Sequence, residues 1–154
     1  MFESIMNLIT FRSLREKLLR KRLLDSLESG TAEGFLTLLL NLMSLVLLLD
    51  KDYRQNTKDF QGKYLFKSRD NSIVVSTQFK NGNMTIAQKA INDPNIAVIF
   101  KDSKALMNFL LSPKPDILNS MLKQDITLDG NLNYLYKFAY MATHLRLMAT
   151  NALT

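Results

Sequence analysis

The sequence predicts an α+β fold: a five-stranded, mainly antiparallel sheet covered by helices, with a helical extension at the N-terminus. Three observations predict it. Apolar residues recur at helical steps in 11–28, 35–49 and 132–145. Between the last two of these lie runs in which apolar and polar residues alternate, the period of half-buried strands. At Asp125 to Met141 (DITLDGNLNYLYKFAYM) one period passes into the other. Ile126 and Leu128 alternate with polar neighbours, Gly130 and Asn131 break the strand, and Leu135, Phe138, Ala142 and Leu145 then form a helical seam. Leu132, Tyr136, Ala139 and Thr143 form a second seam, so this helix needs cover on two sides. A sheet supplies one side. Another helix, a partner chain, a membrane surface or an apolar ligand could supply the other.

In chain order, Phe11 to Glu28 reads as a helix with Leu14, Leu18, Leu24 and Leu27 on its apolar side and Gly30 as its stop. Arg12, Arg15, Lys17, Arg20, Lys21 and Arg22 crowd it. Two readings are open, a helix lying on an anionic membrane or a solvated basic face, and the commonness of basic faces favours the second. Phe35 to Leu49 is leucine-rich but shorter than the roughly 18 to 20 residues of a spanning helix, with Thr37, Asn41 and Ser44 on one polar line. It reads as a mostly buried helix, followed by a polar connection from Asp50 to Gln61. Lys63–Lys67 and Ile73–Lys80 read as strands, and Asn81-Gly82 as a type I′ hairpin turn setting Phe79 opposite Met84 and Thr77 opposite Ile86. Ile96–Phe100, apolar on both faces, reads as a central strand. Asp102-Ser103 supplies an N-cap for a short helix burying Leu106, Phe109 and Leu110. A second short helix opens near Pro115, with Ile117, Leu118, Met121 and Leu122 on one face.

Composition narrows the function. The 154 residues fit one domain, or a small domain with an extension. At 47% hydrophobic and 22% charged the chain is of ordinary globular composition. Without cysteine there is no disulfide framework, thiolate nucleophile or cysteine metal site. The start, MFESIMNLITF, lacks the basic region and apolar run of a secretory signal. A net charge of +6 favours anionic partners, lipid head groups or nucleic acid. The basic run has only Phe11 beside it and the strand aromatics alternate as core residues do, so nucleic-acid binding is not expected.

Catalysis is not expected either. The single histidine, His144, lies on the polar line of the last helix and reads as a surface residue. No serine sits in a GxSxG elbow and the five glycines form no phosphate-cradling loop. Asp125 and Asp129 do not make a metal site. No metal or cofactor is called for.

The run from about Lys63 to Met148 resembles the sterol carrier protein 2 (SCP2-like) domain. The likeness is carried by NGNMTI at 81–86, DPNIAVIFKDSKALMNFLL at 93–111 and PDILNSMLKQDITLDGNLNYLYKF at 115–138, in family order. Ser112-Pro113 and Lys123-Gln124 replace the family's usual glycine and glycine-lysine, departures that bear on the tunnel mouth. The resemblance implies a five-stranded sheet and helices around an apolar tunnel for sterols, fatty acyl chains or other lipids. The implied lining is Phe79, Met84, Phe100, Leu106, Phe109, Leu110, Ile117, Leu118, Met121, Leu132, Leu135, Phe138 and Met141. For each, plain core packing is the competing reading. The expected organisation is an extension at 1–31 and a lipid-binding domain at 32–150. The tail NALT is unlike the peroxisomal SKL signal, so a peroxisomal carrier is not expected; the expected location is the cytoplasm, with the basic helix as the candidate membrane contact. An accessory scaffold presenting an isoprenoid or quinone, and a ligand-free interaction module closed by dimerisation, are the alternatives.

Overall fold

The computed structural model describes residues 31–112 and 116–151. The basic stretch with Arg12, Arg15, Lys17, Arg20, Lys21 and Arg22 lies outside the described residues, as do the extension built on it and Pro115. The elements in order are α1 (Ala32–Leu49), α2 (Lys51–Arg54), a 3-10 turn (Gln55–Thr57), β1 (Gly62–Ser68), β2 (Val74–Lys80), β3 (Asn83–Ala87) and β4 (Ile96–Phe100). They are followed by α3 (Ser103–Leu111), α4 (Ile117–Leu122), β5 (Ile126–Gly130) and α5 (Leu132–Asn151).

Local chemistry sets the boundaries. Thr31 Oγ1 accepts from the Gly34 amide at 3.0 Å, so α1 starts three residues before Phe35. Asp50 ends α1 and caps α2 through Tyr53 N, and Asp102 caps α3 through Ala105 N, each at 2.8 Å. Asn81 and Gly82 both have positive φ, 54° and 78°. The turn they make sets Phe79 opposite Met84 and Thr77 opposite Ile86.

The sheet order is β3-β2-β1-β4-β5. Three neighbouring pairs are antiparallel and one is parallel: β4 runs beside β1 with Tyr64 opposite Ile96 and Ser68 opposite Phe100. The α+β class therefore holds with a mixed sheet. One face carries Tyr64, Phe66, Val75, Phe79, Met84, Ile96, Val98, Phe100 and Ile126, all buried. α1, α3 and α5 add Leu36, Leu40, Met43, Leu106, Phe109, Leu135, Phe138 and Met141 to the same cluster. The opposite face holds Leu65, Lys67 and Ile99, half-buried, with Thr85 and Thr127 exposed.

Two expectations change. The polar connection after Asp50 contains α2 and the turn, because Tyr53 is fully buried and its hydroxyl donates to Met141 O at 3.0 Å. The second seam of α5 is covered only in part: Leu132, Ala139 and Thr143 are half-buried and Tyr136 is 47% exposed, while Leu135, Phe138, Met141 and Leu145 are buried. A tyrosine tolerates that position because its ring can lean on the surface with the hydroxyl in water.

Candidate functional site

The candidate site is the apolar interior between the core face of the sheet and α1, α3 and α5. Its centre is aromatic. Phe66 and Phe138 have ring centroids 5.0 Å apart, Tyr64 and Phe138 5.7 Å, and Phe100 and Phe109 5.7 Å. These are contact distances for rings in tilted and edge arrangements. Burial pushes the Tyr53 and Tyr64 phenols well up, so both remain protonated donors at neutral pH. Tyr64 uses its proton on Tyr134 O at 2.7 Å, tying β1 to the first turn of α5. No buried side-chain nitrogen or oxygen among the described residues lacks a partner. The interior is therefore apolar, with its few buried polar atoms hydrogen-bonded.

Gly130 fixes the angle at which α5 leaves the sheet. Its φ is +125°, and a Cβ there would run into the backbone of Asn95 and Ile96. Asn131 N donates to Asn95 O at 2.9 Å, and Asn131 Oδ1 accepts from Asn133 N at 2.9 Å to begin the helix. The strand-Gly-Asn-helix junction read in the sequence thus aims Leu135, Phe138 and Met141 at the sheet.

Of the expected lining residues, Phe79, Met84, Phe100, Leu106, Phe109, Ile117, Leu135, Phe138 and Met141 are buried in the cluster. Leu110 and Leu132 are half-buried against it. Leu118 and Met121 are elsewhere, 61% and 38% exposed. The six-residue α4 offers one inward position, taken by Ile117, and turns its remaining apolar side chains outward. The buried lining residues touch one another, and a tunnel is not shown among the described residues. A solvent-open cavity of about 730 Å³ lies away from this interior, lined by Arg54, Lys58, Asp59, Asn81 and Gly82 among others. Its lining mixes polar and charged side chains with the ring of Phe60.

Sequence reasoning missed Tyr53, Phe60 and Tyr134. Phe60 packs on Phe79 and Tyr134, with Lys137 Nζ 5.4 Å above its ring. It also misplaced His144, which is half-buried: its Nδ1 accepts from the Asn56 amide at 3.0 Å and its ring lies 5.2 Å from Tyr53. A polar line on an amphipathic helix marks the outward side, but it does not say that a neighbouring loop will close over it.

No protein-family model matches the sequence, and no curated protein matches it. Solved structures do. UbiJ-SCP2, a ubiquinone synthesis protein, superimposes with a TM-score of 0.56 at 12% identity, over 70% of this chain and 87% of that one. The sterol carrier protein domain 2 of Helicoverpa armigera superimposes at 0.54 and 14% identity, over 73% of this chain and 87% of its own. A sec-alkyl sulfatase, PisA1, gives 0.52 at 14% identity over 75% of this chain, which spans only 19% of that enzyme and 13% of Pisa1 from Pseudomonas sp. in another structure. At these identities the likeness is one of fold. The fold is that of SCP2 domains.

Proposed function

We propose that this chain binds a lipid or another apolar small molecule between its sheet and helices, without catalysis. The observation that carries the reading is the fold match to two SCP2 domains over 87% of each, combined with an apolar interior between one face of the sheet and the helices. Hiding a few hundred Å² of hydrocarbon yields on the order of 10 kcal/mol before ordering costs, so no charged group is needed for affinity. Leu106, Phe109, Leu110 and Ile117, on the short helices α3 and α4, and Leu132, in the first turn of α5, would form the wall that yields to a ligand. Leu118 and Met121 would line the entrance rather than the chamber. Met121 is suited to that place because a flexible thioether adapts to varied apolar shapes.

The domain that binds is residues 32–150, and the preceding basic stretch would bring it to an anionic membrane where the ligand is collected. A cytoplasmic, peripheral protein fits that use, with no role for nucleic acid. A second reading, presentation of an isoprenoid or quinone to biosynthetic enzymes, is favoured by one observation: one of the matched structures is a ubiquinone synthesis protein.

The test is native mass spectrometry of the gently purified protein followed by organic extraction. A stoichiometric lipid or isoprenoid is expected, and its identity separates the two readings. An empty protein that also takes up no fluorescent fatty acid, sterol or quinone probe would sink both.

A further inference from the structure

α1 is long and apolar, with a mean hydropathy of 2.0, yet five of its eighteen residues are buried: Phe35, Leu36, Leu40, Met43 and Leu47. Leu39, Leu42 and Val46 flank that inward stripe and rest partly on the core. Leu38, Leu45 and Leu49 are half-exposed, and Leu48 is 62% exposed. With Leu42, three of these make a run at 38, 42, 45 and 49, in steps of four, three and four. On a helix those four leucines fall within about 60° of one another. So narrow and regular a seam is the pattern by which one helix packs knobs-into-holes on another.

We propose that this seam joins two copies of the chain, α1 against α1, antiparallel across a twofold axis. With the axis between Met43 and Ser44, Leu38 of one copy faces Leu49 of the other and Leu42 faces Leu45, as a self-complementary contact requires. Gly34 to Leu49 contains no charged residue, so two molecules of net charge +6 meet over a neutral strip. Antiparallel pairing also sets the positive end of each helix dipole beside the negative end of the other.

Other occupants fit less well. A helix lying in a membrane interface carries Lys and Arg on its polar face. α1 carries neither, and its polar line is Thr37, Asn41 and Ser44. The Thr37 hydroxyl donates to Glu33 O and the Asn41 amide to Thr37 O, so these side chains lie along their own helix. Residues 1–30 hold many leucines but no four-three-four run of apolar positions to match the seam.

Pairing one helix on each side hides on the order of 1,000 Å² in total, the size of a weak interface, so a concentration-dependent dimer is expected. Sedimentation velocity of the full chain from about 1 to about 200 µM is expected to show monomer giving way to dimer. Leu45→Lys places two charges in the seam and lies outside the core cluster. It is expected to weaken association at least about tenfold while leaving the far-ultraviolet circular dichroism and the melting temperature in place. Should that variant misfold, the Leu38→Cys/Leu49→Cys protein provides a second readout, since the chain has no other cysteine. Mild oxidation is expected to give a disulfide-linked dimer. A full chain that stays monomeric throughout overturns the proposal, including one that instead binds phosphatidylcholine–phosphatidylglycerol vesicles through Leu45. So does a dimer indifferent to Leu45→Lys that forms no cross-link.

Discussion

The middle of the sheet and the α3–α4 end are built from the same kinds of residue and use them differently. Around Tyr64, Phe66 and Phe138 every ring is buried, met by other rings at 5.0 to 5.7 Å, and tied down by a phenol to a helix carbonyl. At α4, Leu118 and Leu122 are 61% and 84% exposed and Ile117 alone reaches the core. The first region is apolar because the fold needs it. The second has apolar side chains that the fold does not consume, which is where binding can be added without loss of stability.

Four measurements break or sharpen that contrast. Phe138→Ala removes the ring shared by Tyr64 and Phe66 and is expected to cost about 3 to 5 kcal/mol in urea unfolding. A loss below about 1 kcal/mol would mean the middle is not close-packed. Gly130→Ala forces a side chain into left-handed backbone against Asn95, with an expected loss of about 2 to 4 kcal/mol and a shift in the angle of α5. Tyr64→Phe leaves Tyr134 O without its donor, at an expected loss of about 1 to 2 kcal/mol by the same unfolding measurement. At the other end, Leu118→Ser with Met121→Ser is expected to change stability by less than about 0.5 kcal/mol. The same pair is expected to slow uptake of a fluorescent fatty acid several-fold. Equal uptake by the two proteins would move the entrance elsewhere.

The smallest expected effect lies at the exposed Asp70 of the β1–β2 turn. Asp70 accepts from the Ser68 and Ser72 hydroxyls at 2.7 Å and from the Ser72 amide at 3.0 Å, which holds its carboxyl at about 2. A carboxyl depressed in the folded state contributes stability above its ordinary value near 3.8 and loses it as the pH falls toward 2. Asp70→Asn is expected to flatten a slight loss of stability in that window. An unaltered acid profile would show that the exposed turn contributes nothing measurable.

What the sequence disclosed was local. Asn81-Gly82 dictated a turn type, and the turn dictated the pairing of Phe79 with Met84, because a two-residue loop leaves one register. Asp102 and the Gly130-Asn131 junction were legible for the same reason: each acts on residues within a few positions of itself. The parallel pairing of β4 with β1 was not legible, since apolar runs say that a strand is central without giving its direction. Nor was the burial of Tyr53 inside a polar stretch, whose partner Met141 is 88 residues away. At the candidate site, the positions of Phe138 and Leu106 followed from their period, whereas Leu118 and Met121 were placed inward by a period that a six-residue helix is too short to enforce.

The single parallel pair also bears on how the molecule assembles in time. β2 and β3 meet across a two-residue turn, so their contacts close over a loop that costs little entropy. β1 and β4 join residues 32 apart, as Tyr64 and Ile96 are, and that joining unites the hairpin half of the chain with the helical half. Pairing at such separation is slow relative to a hairpin. Refolding is therefore expected to protect the amides of β2 and β3 from hydrogen exchange before those of β4. Pulse labelling that finds all three protected together would point instead to one concerted collapse around the rings.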